Sequence, residues 1–383
     1  MKLAGIELVQ VEVPFRAPIG TAAGTHRTRS LLFVRVVGED GEGWGECAAL
    51  SEGTAVDPRL DAVVDAAAGR GVARLLDASA ARSGQLPLEA EVAHLFGSSP
   101  IDRMLAGTFE MAVADLELRQ SGRSLSQSLG LEPGFGAMPV GAAVGIPEGY
   151  DIGVFRQDVE AAVGAGAARL RIKIEPGWDL EPVREARQAY PDLLLQVDAN
   201  GAYGPGDAEH LNHLAAWDLL CIEQPLPPAD LVAHAELARE LAVPIGLDES
   251  LSSPRRVIDA LRNGACQVAC LKPGRLGGVR ATRLAHAACR EADVAVFIGG
   301  FFEAGLGRAS NLALAARLHQ DAPGMVGDLG DPASYLAVDP CGYPMVRDGW
   351  VRVPSHPGVG TGPDAVTLSE FGARRRWFPA TYT

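Results

Sequence analysis

The sequence has little of what several common classes of protein require. Its 6 cysteines, at positions 47, 221, 266, 270, 289 and 341 of 383 residues, lack the close spacing of a zinc site or a disulfide framework, which predicts buried, reduced side chains. Basic residues (34) are outnumbered by acidic ones (48), and the net charge of −14 argues against nonspecific binding to nucleic acid. No run reaches the ~18 apolar residues of a membrane span, and the strand-like start "MKLAGIELVQVEVPF" lacks the apolar core of a signal peptide. We therefore expect a cytoplasmic protein that binds neither nucleic acid nor a membrane.

The first third of the chain is predicted to form a small α+β domain, which we place at residues 1–130. The segments "IELVQVEV" and "SLLFVRVVG" have the pattern of strands, and "EDGEGWGEC" predicts a turn and a third strand. Helical spacing of apolar residues follows in "RLDAVVDAAAGRGVARLLDA" and "AGTFEMAVADLELRQSG". Between the first two strands, "RAPIGTAAGTHRTRS" has no periodicity and predicts a loop long enough to have a functional role.

From about Pro139 the pattern changes to a strict alternation of short apolar strands and helices. Seven strands are predicted in "VGAAVGI", "ARLRIKI", "DLLLQVDAN", "LLCIEQP", "PIGLDES", "CQVACLKP" and "VAVFIGG", and an eighth in "GMVGDLG". Such strands favour a parallel sheet, and about eight of them favour a (β/α)8-type barrel. A doubly wound sheet is disfavoured because no GxGxxG turn follows an early strand. We predict an α/β fold with the barrel at residues 131–334 and an α+β capping domain, formed by the N-terminal region and a C-terminal tail (335–383).

Three of these strands end in an acid at equal intervals. Asp198, Glu223 and Asp248 are separated by 25 residues each (223 − 198 = 25; 248 − 223 = 25). That interval is one strand-helix step, so the three carboxylates are expected side by side at the carboxyl ends of neighbouring strands, where barrel enzymes have their active sites. Without a cation they would repel one another, and an all-oxygen ligand set suits Mg²⁺. The competing interpretation is that each acid only caps the helix that follows it or pairs with a basic neighbour.

Two lysines flank these acids. In the second strand, Arg169, Arg171 and Lys173 alternate with apolar residues and therefore share one face. Lys272 ends the sixth strand, on the other side of the acids. Burial near other cations lowers the pKa of a lysine and makes it a general base. A metal ion between two lysines would suit proton removal next to a carboxylate, because it stabilises the enediolate that forms.

These motifs resemble those of the enolase superfamily, in the muconate-lactonizing branch. The closest resemblance is to the o-succinylbenzoate synthases and N-succinylamino acid (N-acylamino acid) racemases, and it extends over essentially the whole chain through "GWGEC", "RIKIEPGWD", "LLLQVDAN", "IEQPL", "LDES", "KPGRLGG" and "GLGRASN". The resemblance implies an enzyme, dependent on Mg²⁺ or Mn²⁺, that removes the α-proton of a small-molecule carboxylate. The product would be o-succinylbenzoate, made by dehydration in menaquinone biosynthesis, or a racemised N-acylamino acid. We also expect a homo-oligomer.

The resemblance implies roles for individual positions as well. The metal ligands would be Asp198, Glu223 and Asp248. Lys173 would remove the α-proton, and Lys272 would stabilise the enolate as a cation or act as the second base of a racemase. Residues expected beside the ligands or the substrate are Arg171, Asn200, Glu249, Arg275, Gly300, Phe301, Phe302 and Glu303. Residues expected in a mobile loop that covers the substrate are Gly20, Thr21, Gly24, Thr25, His26 and Arg27.

The chain departs from its relatives in three places. Arg171 replaces the first lysine of the K-x-K-type motif, which leaves Lys173 as the base on that side. Phe301 and Phe302 stand where relatives carry Met-Ile, and they would reshape the pocket for the acyl group. The segment "GDLGDPAS" replaces a Ser/Thr-rich one, and its acids at positions 328 and 331 could cap a turn or bind an ammonium group.

Other functions stay open at this point. Dipeptide epimerase and muconate cycloisomerase use the same machinery, and an ammonium-binding role for Asp328 and Asp331 would favour the epimerase, whereas Arg275 favours the synthase and racemase pair. A Schiff-base lyase with Lys173 or Lys272 as nucleophile would survive EDTA. A catalytically inactive barrel protein would exchange no substrate proton with solvent.

Overall fold

The structure, a computed structural model, describes residues 1–21, 24–321, 325–344 and 346–381, without the side chains of residues 20, 21, 24 and 25. Its strands are β1 (Leu3–Thr21), β2 (Gly24–Gly38), β3 (Gly41–Glu46), β4 (Ala137–Pro139), β5 (Gly141–Val144), β6 (Arg169–Lys173), β7 (Leu194–Asp198), β8 (Leu219–Glu223), β9 (Ile245–Leu247), β10 (Val268–Leu271), β11 (Ala295–Ile298), β12 (Val346–Arg347), β13 (Trp350–Arg352) and β14 (Arg374–Pro379). Its α-helices are α1 (Leu60–Ala66), α2 (Val72–Ala80), α3 (Glu89–Val92), α4 (Pro100–Gln120), α5 (Leu125–Ser128), α6 (Ile152–Gly164), α7 (Leu180–Ala189), α8 (Ala208–Asn212), α9 (Leu231–Glu240), α10 (Pro254–Asn263), α11 (Pro273–Leu276), α12 (Val279–Glu291), α13 (Gly305–Asp321) and α14 (Ala365–Glu370).

Seven strands form one parallel sheet, in the order β11-β10-β9-β8-β7-β6-β5. They coincide with the seven strands predicted from the apolar runs, which confirms that part of the sequence analysis. Successive strands are neighbours, and at least one helix separates each from the next. Because all seven strands point the same way, their carboxyl ends meet at one edge of the sheet, where the following loops can carry a site.

The predicted eighth strand, in "GMVGDLG", is wrong. Described residues 325–331 contain no strand, so the complete barrel is not confirmed and the described sheet has seven strands. The segment does lie beside the first strand, since the Gly141 amide donates to the Gly327 carbonyl at 3.0 Å. A Cβ on Gly327 would also lie 2.4 Å from the Ile298 carbonyl oxygen of the last strand. Gly327 and Gly330 weaken the strand propensity of the described part of this segment.

The stretch predicted as a long loop near the N-terminus is instead a continuation of two strands. β1 and β2 pair antiparallel far beyond the apolar segments, with Gly20 opposite Thr25 and Thr21 opposite Gly24. Apart from Phe15 and Ile19, the residues of this extension are small, polar, charged or proline, so the segment has no apolar alternation for a sequence pattern to detect. Residues 22 and 23 lie outside the described residues.

The N-terminal region (residues 1–130) packs strand β3 against helix α4 through glycines. A Cβ on Gly45 would lie 2.0 Å from the Thr108 carbonyl oxygen, and one on Gly43 would lie 2.2 Å from that of Ala112. The glycines of "GEGWGE" therefore allow the strand and helix backbones to approach more closely than any side chain would permit.

Strand β14, in the C-terminal tail, pairs antiparallel with β1 and extends the N-terminal sheet to the order β14-β1-β2-β3. Phe301, which follows β11, packs into the apolar cluster of the N-terminal region. The two parts of the chain therefore share apolar contacts beside the carboxyl edge of the parallel sheet. No described helix is long and apolar enough to cross a membrane.

The close approach of β3 to α4 predicts that Gly45→Ala destabilises the protein. The added methyl group must push the helix backbone away, and overpacking of this kind costs about 1–3 kcal/mol. We expect a lower midpoint temperature in thermal unfolding followed by circular dichroism.

Gly69→Ala is the matched control, because nothing lies within 4 Å of its Cβ position in a helical segment. It should leave the midpoint unchanged or raise it. Equal midpoints for Gly45→Ala and wild type would contradict the proposed reason for the glycine motif.

Candidate active site

Three buried acids, which we call the acid row, stand at the carboxyl ends of adjacent strands. Asp198 ends β7 and Glu223 ends β8, and the two residues are paired in the sheet register. Asp248 directly follows β9. All three side chains are almost fully buried. The interval of 25 residues therefore corresponds to one step across the sheet, as predicted.

One end of the acid row is bound by cations from β6. The Lys173 Nζ atom lies 2.6 Å from Asp198 Oδ2 and 2.5 Å from Asn200 Oδ1. Arg171 Nη1 bridges two acids, at 2.9 Å from Asp198 Oδ2 and 3.2 Å from Glu223 Oε2. The alternation of charged residues in β6 thus does place these side chains on the face that the acids occupy.

The other end is bound by Lys272 and Arg275. Lys272 Nζ lies 2.7 Å from Asp248 Oδ2, and Arg275 Nη1 lies 2.5 Å from Asp248 Oδ1. Burial lowers the pKa of Lys272, but Asp248 and the other acidic groups around the lysine together outweigh burial and raise it above its ordinary value. The net pKa of Lys272 is therefore raised and not lowered as predicted, although the neighbouring Arg275 does act in the predicted direction.

The acid row has the composition of a site for a hard divalent cation. Glu223, Asp248 and the Cys270 thiol bring potential ligand atoms within 4.8 Å of one another among the described residues. Asp198 is not in that group, and its carboxylate is engaged by Lys173 and Arg171. Clustered buried carboxylates fit a divalent cation, and oxygen ligands suit Mg²⁺ or Mn²⁺.

Glu249 strengthens that fit. Its Oε1 atom accepts a hydrogen bond from Asn200 Nδ2 at 3.0 Å. Its Oε2 atom is buried without a hydrogen-bond partner. Burial raises the pKa of Glu249, and Asp248 and Asp198 raise it further. An unpartnered carboxylate oxygen beside the acid row marks a place where positive charge would be stabilised.

The two acids of "GDLGDPAS" differ in role. Asp331 caps a short helical turn by accepting a hydrogen bond from the Ala333 amide at 2.8 Å, as predicted. Asp328 does not cap a turn. Its carboxylate pairs with Arg169 at 2.5 Å and with Arg171 at 2.6 Å, so both of its oxygens are engaged by guanidinium groups.

The segment after β11 covers the Lys272 side of the site. The Phe301 ring centre lies 4.6 Å from Lys272 Nζ and 5.2 Å from Arg275 Cζ, and both contacts are cation–π interactions. Glu303, near Gly300, is buried and accepts a hydrogen bond from Asn311 Nδ2 at 3.0 Å, so it anchors the segment to α13.

Phe302 connects the same segment to the N-terminal hairpin. Its φ of 58° is unusual for a bulky residue, and its ring packs edge-on against Phe15 at 5.9 Å. Arg29 Nε donates to the Phe302 carbonyl at 3.1 Å. The base of the β1–β2 hairpin therefore lies at the site, whereas His26 and Arg27 lie further along β2.

Sequence reasoning missed three residues of the site. Gln196 Nε2 donates to Glu223 Oε2 at 2.5 Å, and its position two residues before Asp198 in β7 could have revealed it through strand alternation. Cys270 stands two residues before Lys272, where the same alternation applies. Asp57, which pairs with Arg275 at 2.7 Å, lies 218 residues away in sequence and has no local signal.

Comparisons with known proteins agree over nearly the full length of the chain. Residues 154–366 match the family model described as Enolase C-terminal domain-like. The chain is 39% identical to an N-succinylamino acid racemase from Amycolatopsis sp., over 98% of this chain and 99% of that protein. It is 34% identical to an o-succinylbenzoate synthase from Geobacillus kaustophilus, over 98% and 97%. A solved structure of a probable mandelate racemase from Alicyclobacillus acidocaldarius superposes with a TM-score of 0.90 at 34% identity, covering 100% of this chain and 99% of that one.

The pKa of Glu223 predicts a pH-dependent cost in the metal-free protein. Burial, Asp198 and Asp248 raise this pKa to about 8 against the opposing charge of Arg171. A carboxyl group whose pKa rises on folding stabilises the fold while protonated; this contribution is full below about pH 4.5 and is lost as the pH rises to about 8. In EDTA, the free energy of unfolding of Glu223→Gln should therefore rise relative to that of wild type between pH 5 and pH 9, by at most a few kcal/mol. The midpoint temperature of the variant should rise relative to wild type over the same range.

Glu52→Gln is the control, since Glu52 is an exposed acid outside the site. Parallel pH profiles for Glu223→Gln and wild type would show that the charge on Glu223 is already balanced.

Proposed function

Because this chain belongs to the enolase superfamily, in the branch of the muconate-lactonizing enzymes, and is an enzyme of the lyase or isomerase type, we propose that it removes the α-proton of a small carboxylate substrate. The product would be o-succinylbenzoate, an inverted N-succinylamino acid, or both. One observation supports the proposal most strongly: Lys173 and Lys272 pair with acids at opposite ends of the acid row. A substrate bound at the acid row would have the Nζ atom of one lysine on each side.

We propose Mg²⁺ or Mn²⁺ as the cofactor, held by Asp198, Glu223 and Asp248. When bound, the ion supplies positive charge to the substrate carboxylate as the α-proton leaves. Asp198 and Asp248, the partners of the two lysines, would then be shared with the ion.

In this mechanism Lys173 accepts the α-proton at its Nζ atom. Asn200 orients Lys173 by accepting a hydrogen bond from it, and Glu249 orients Asn200 in turn. Arg171 stays charged and links Glu223 to Asp328. In a dehydration Lys173 would return the proton to the departing hydroxyl, and Lys272 would act as a cation. In a racemisation Lys272 would deliver a proton to the opposite face.

Dipeptide epimerisation receives less support. An acid that binds a substrate ammonium group must have a free oxygen, and Asp328 already faces two arginines. Asp331 uses one of its two carboxylate oxygens, Oδ1, to cap a turn. A Schiff-base mechanism also receives less support, because it gives the three buried carboxylates of the acid row no role.

Two features of the fold are part of this proposal. We propose that residues 325–330 close the parallel sheet into a barrel, because they lie between the first and last strands. We also propose that a segment of the hairpin covers the bound substrate and excludes water, because the base of the hairpin contacts Phe302 at the site. The residues of this segment are Gly20, Thr21, Gly24, Thr25, His26 and Arg27.

The proposal is tested by assaying candidate substrates in parallel with Mg²⁺ or Mn²⁺. The substrates are the cyclohexadiene precursor of o-succinylbenzoate, N-succinyl amino acids and dipeptides, followed by proton NMR in deuterated water. We expect α-proton exchange or turnover with one of the first two classes and none after EDTA treatment. Exchange with dipeptides alone, or activity that persists in EDTA, would contradict the proposal.

Lys173→Ala should lower turnover by several orders of magnitude, because Lys173 is the proposed base and Arg171, which also pairs with Asp198, keeps its proton. Mn²⁺ binding, followed by electron paramagnetic resonance, should persist. Near-normal turnover in this variant would rule out Lys173 as the base.

Lys272→Ala separates the two reactions. If the racemase reaction uses both lysines, this variant should still exchange the α-proton of one enantiomer of an N-succinylamino acid in deuterated water and lose exchange of the other. Exchange of both enantiomers at wild-type rates would contradict the two-base assignment.

A further inference from the structure

Arg275 joins the N-terminal region to the acid row. Its Nε and Nη2 atoms donate to the two carboxylate oxygens of Asp57, at 2.8 and 2.7 Å. Its Nη1 atom donates to Oδ1 of Asp248 at 2.5 Å and to the Asp248 carbonyl at 3.0 Å. The three side chains are 2–3% exposed. One buried guanidinium group is thus shared between a carboxylate of the N-terminal region and a carboxylate of the acid row.

The loop between β3 and α1 holds Asp57 in a fixed position. Thr54 Oγ1 donates to Asp57 Oδ2 at 2.8 Å and accepts from the Asp57 amide at 3.0 Å. Gly53 has a φ of +69°, and a Cβ there would lie 2.7 Å from the Asp57 carbonyl oxygen. The loop therefore presents the Asp57 carboxylate in one orientation, as a bidentate partner for a guanidinium group.

The rest of Arg275 is also enclosed by the N-terminal region. Arg103, in α4, donates to the Arg275 carbonyl at 3.0 Å and to the Ser252 carbonyl at 2.6 Å. Phe301, which packs with the N-terminal apolar cluster, lies over the guanidinium. The guanidinium group of Arg275 is therefore buried and held against Asp248 by these contacts. Its positive charge acts on Asp248 whether or not Asp57 balances it.

That balance matters for metal binding. Asp248 already faces two cations, Lys272 and Arg275. A divalent ion at the acid row must compete with both of them for the same carboxylate. In a buried site an unbalanced charge a few ångströms away is poorly screened. Asp57 supplies the negative charge that offsets Arg275, and it does so from outside the parallel sheet.

We propose that Asp57 is a positioning residue for the metal site: by balancing the charge of Arg275 it sets the net charge that a metal ion meets at Asp248, so that metal affinity at the acid row depends on the docked N-terminal region. This inference rests on the metal site of the proposed function. The N-terminal region, whose hairpin is proposed to cover the substrate, would then also control the affinity for the metal ion.

The test measures Mn²⁺ affinity of the full chain without substrate, by electron paramagnetic resonance of free Mn²⁺. Asp57→Asn keeps the shape of the side chain but leaves Arg275 unbalanced beside Asp248. We expect its dissociation constant for Mn²⁺ to rise at least about tenfold. The matched control is Asp102→Asn, which removes the same charge from an ion pair with Arg70 and Arg74 inside the N-terminal region. It should bind Mn²⁺ as wild type does.

A second background keeps the test decisive if Asp57→Asn folds poorly, because an unpaired buried cation is strongly destabilising. Arg275→Gln removes that cation and should bind Mn²⁺ at least as tightly as wild type. In this background Asp57→Asn should no longer change the affinity, since the residue through which Asp57 acts is gone.

The outcomes separate this inference from the proposed function. If wild type binds no Mn²⁺, the proposed metal site is wrong and this inference is wrong with it. If wild type binds Mn²⁺ and Asp57→Asn binds it equally well, only the role of Asp57 is wrong. Weakening by Asp57→Asn in the Arg275→Gln background would show that Asp57 does not act through Arg275.

Discussion

Burial of like charge at one edge of the parallel sheet is the constraint on which the site depends. Asp198, Glu223 and Asp248 are almost fully buried, and carboxylates this close together are unstable unless cations balance them. Lysine and arginine side chains provide that balance from both ends of the row. Two of these cations, Lys173 and Lys272, are also the groups to which the proposed mechanism assigns the proton transfer. The ion pairs that stabilise the buried acids therefore hold both lysines beside the acid row.

The second level of organisation is the contact between the N-terminal region and the sheet. Phe302 meets the hairpin at Phe15, and Asp57 meets Arg275 beside Asp248. A site at the open edge of a sheet would be wet and loosely held. Contact with a second layer removes water and fixes the charged side chains, which strengthens every electrostatic interaction within the site.

Much of this could be predicted from particular residues. The seven strands were recognised because buried parallel strands are short apolar runs, and the adjacency of Asp198 and Glu223 followed from their equal spacing. The hairpin arm could not be predicted because "RAPIGTAAGTHRTRS" has no apolar alternation, although the structure pairs its residues. The strand predicted in "GMVGDLG" is absent from the described residues of that segment. Glycine has a low strand propensity, and the apolar run alone did not reveal this.

The sequence alone determined the order of elements, the identity of the acids and lysines, and the strand face that carries Arg171 and Lys173, because these properties follow from local periodicity and spacing. Only the tertiary structure decided which charges meet. Asp328 pairs with Arg169 and Arg171 instead of capping a turn, and Asp57 reaches Arg275 across 218 residues of sequence. Ion pairing depends on distance in space, and a linear pattern holds no record of the loops that bring distant residues within hydrogen-bond range.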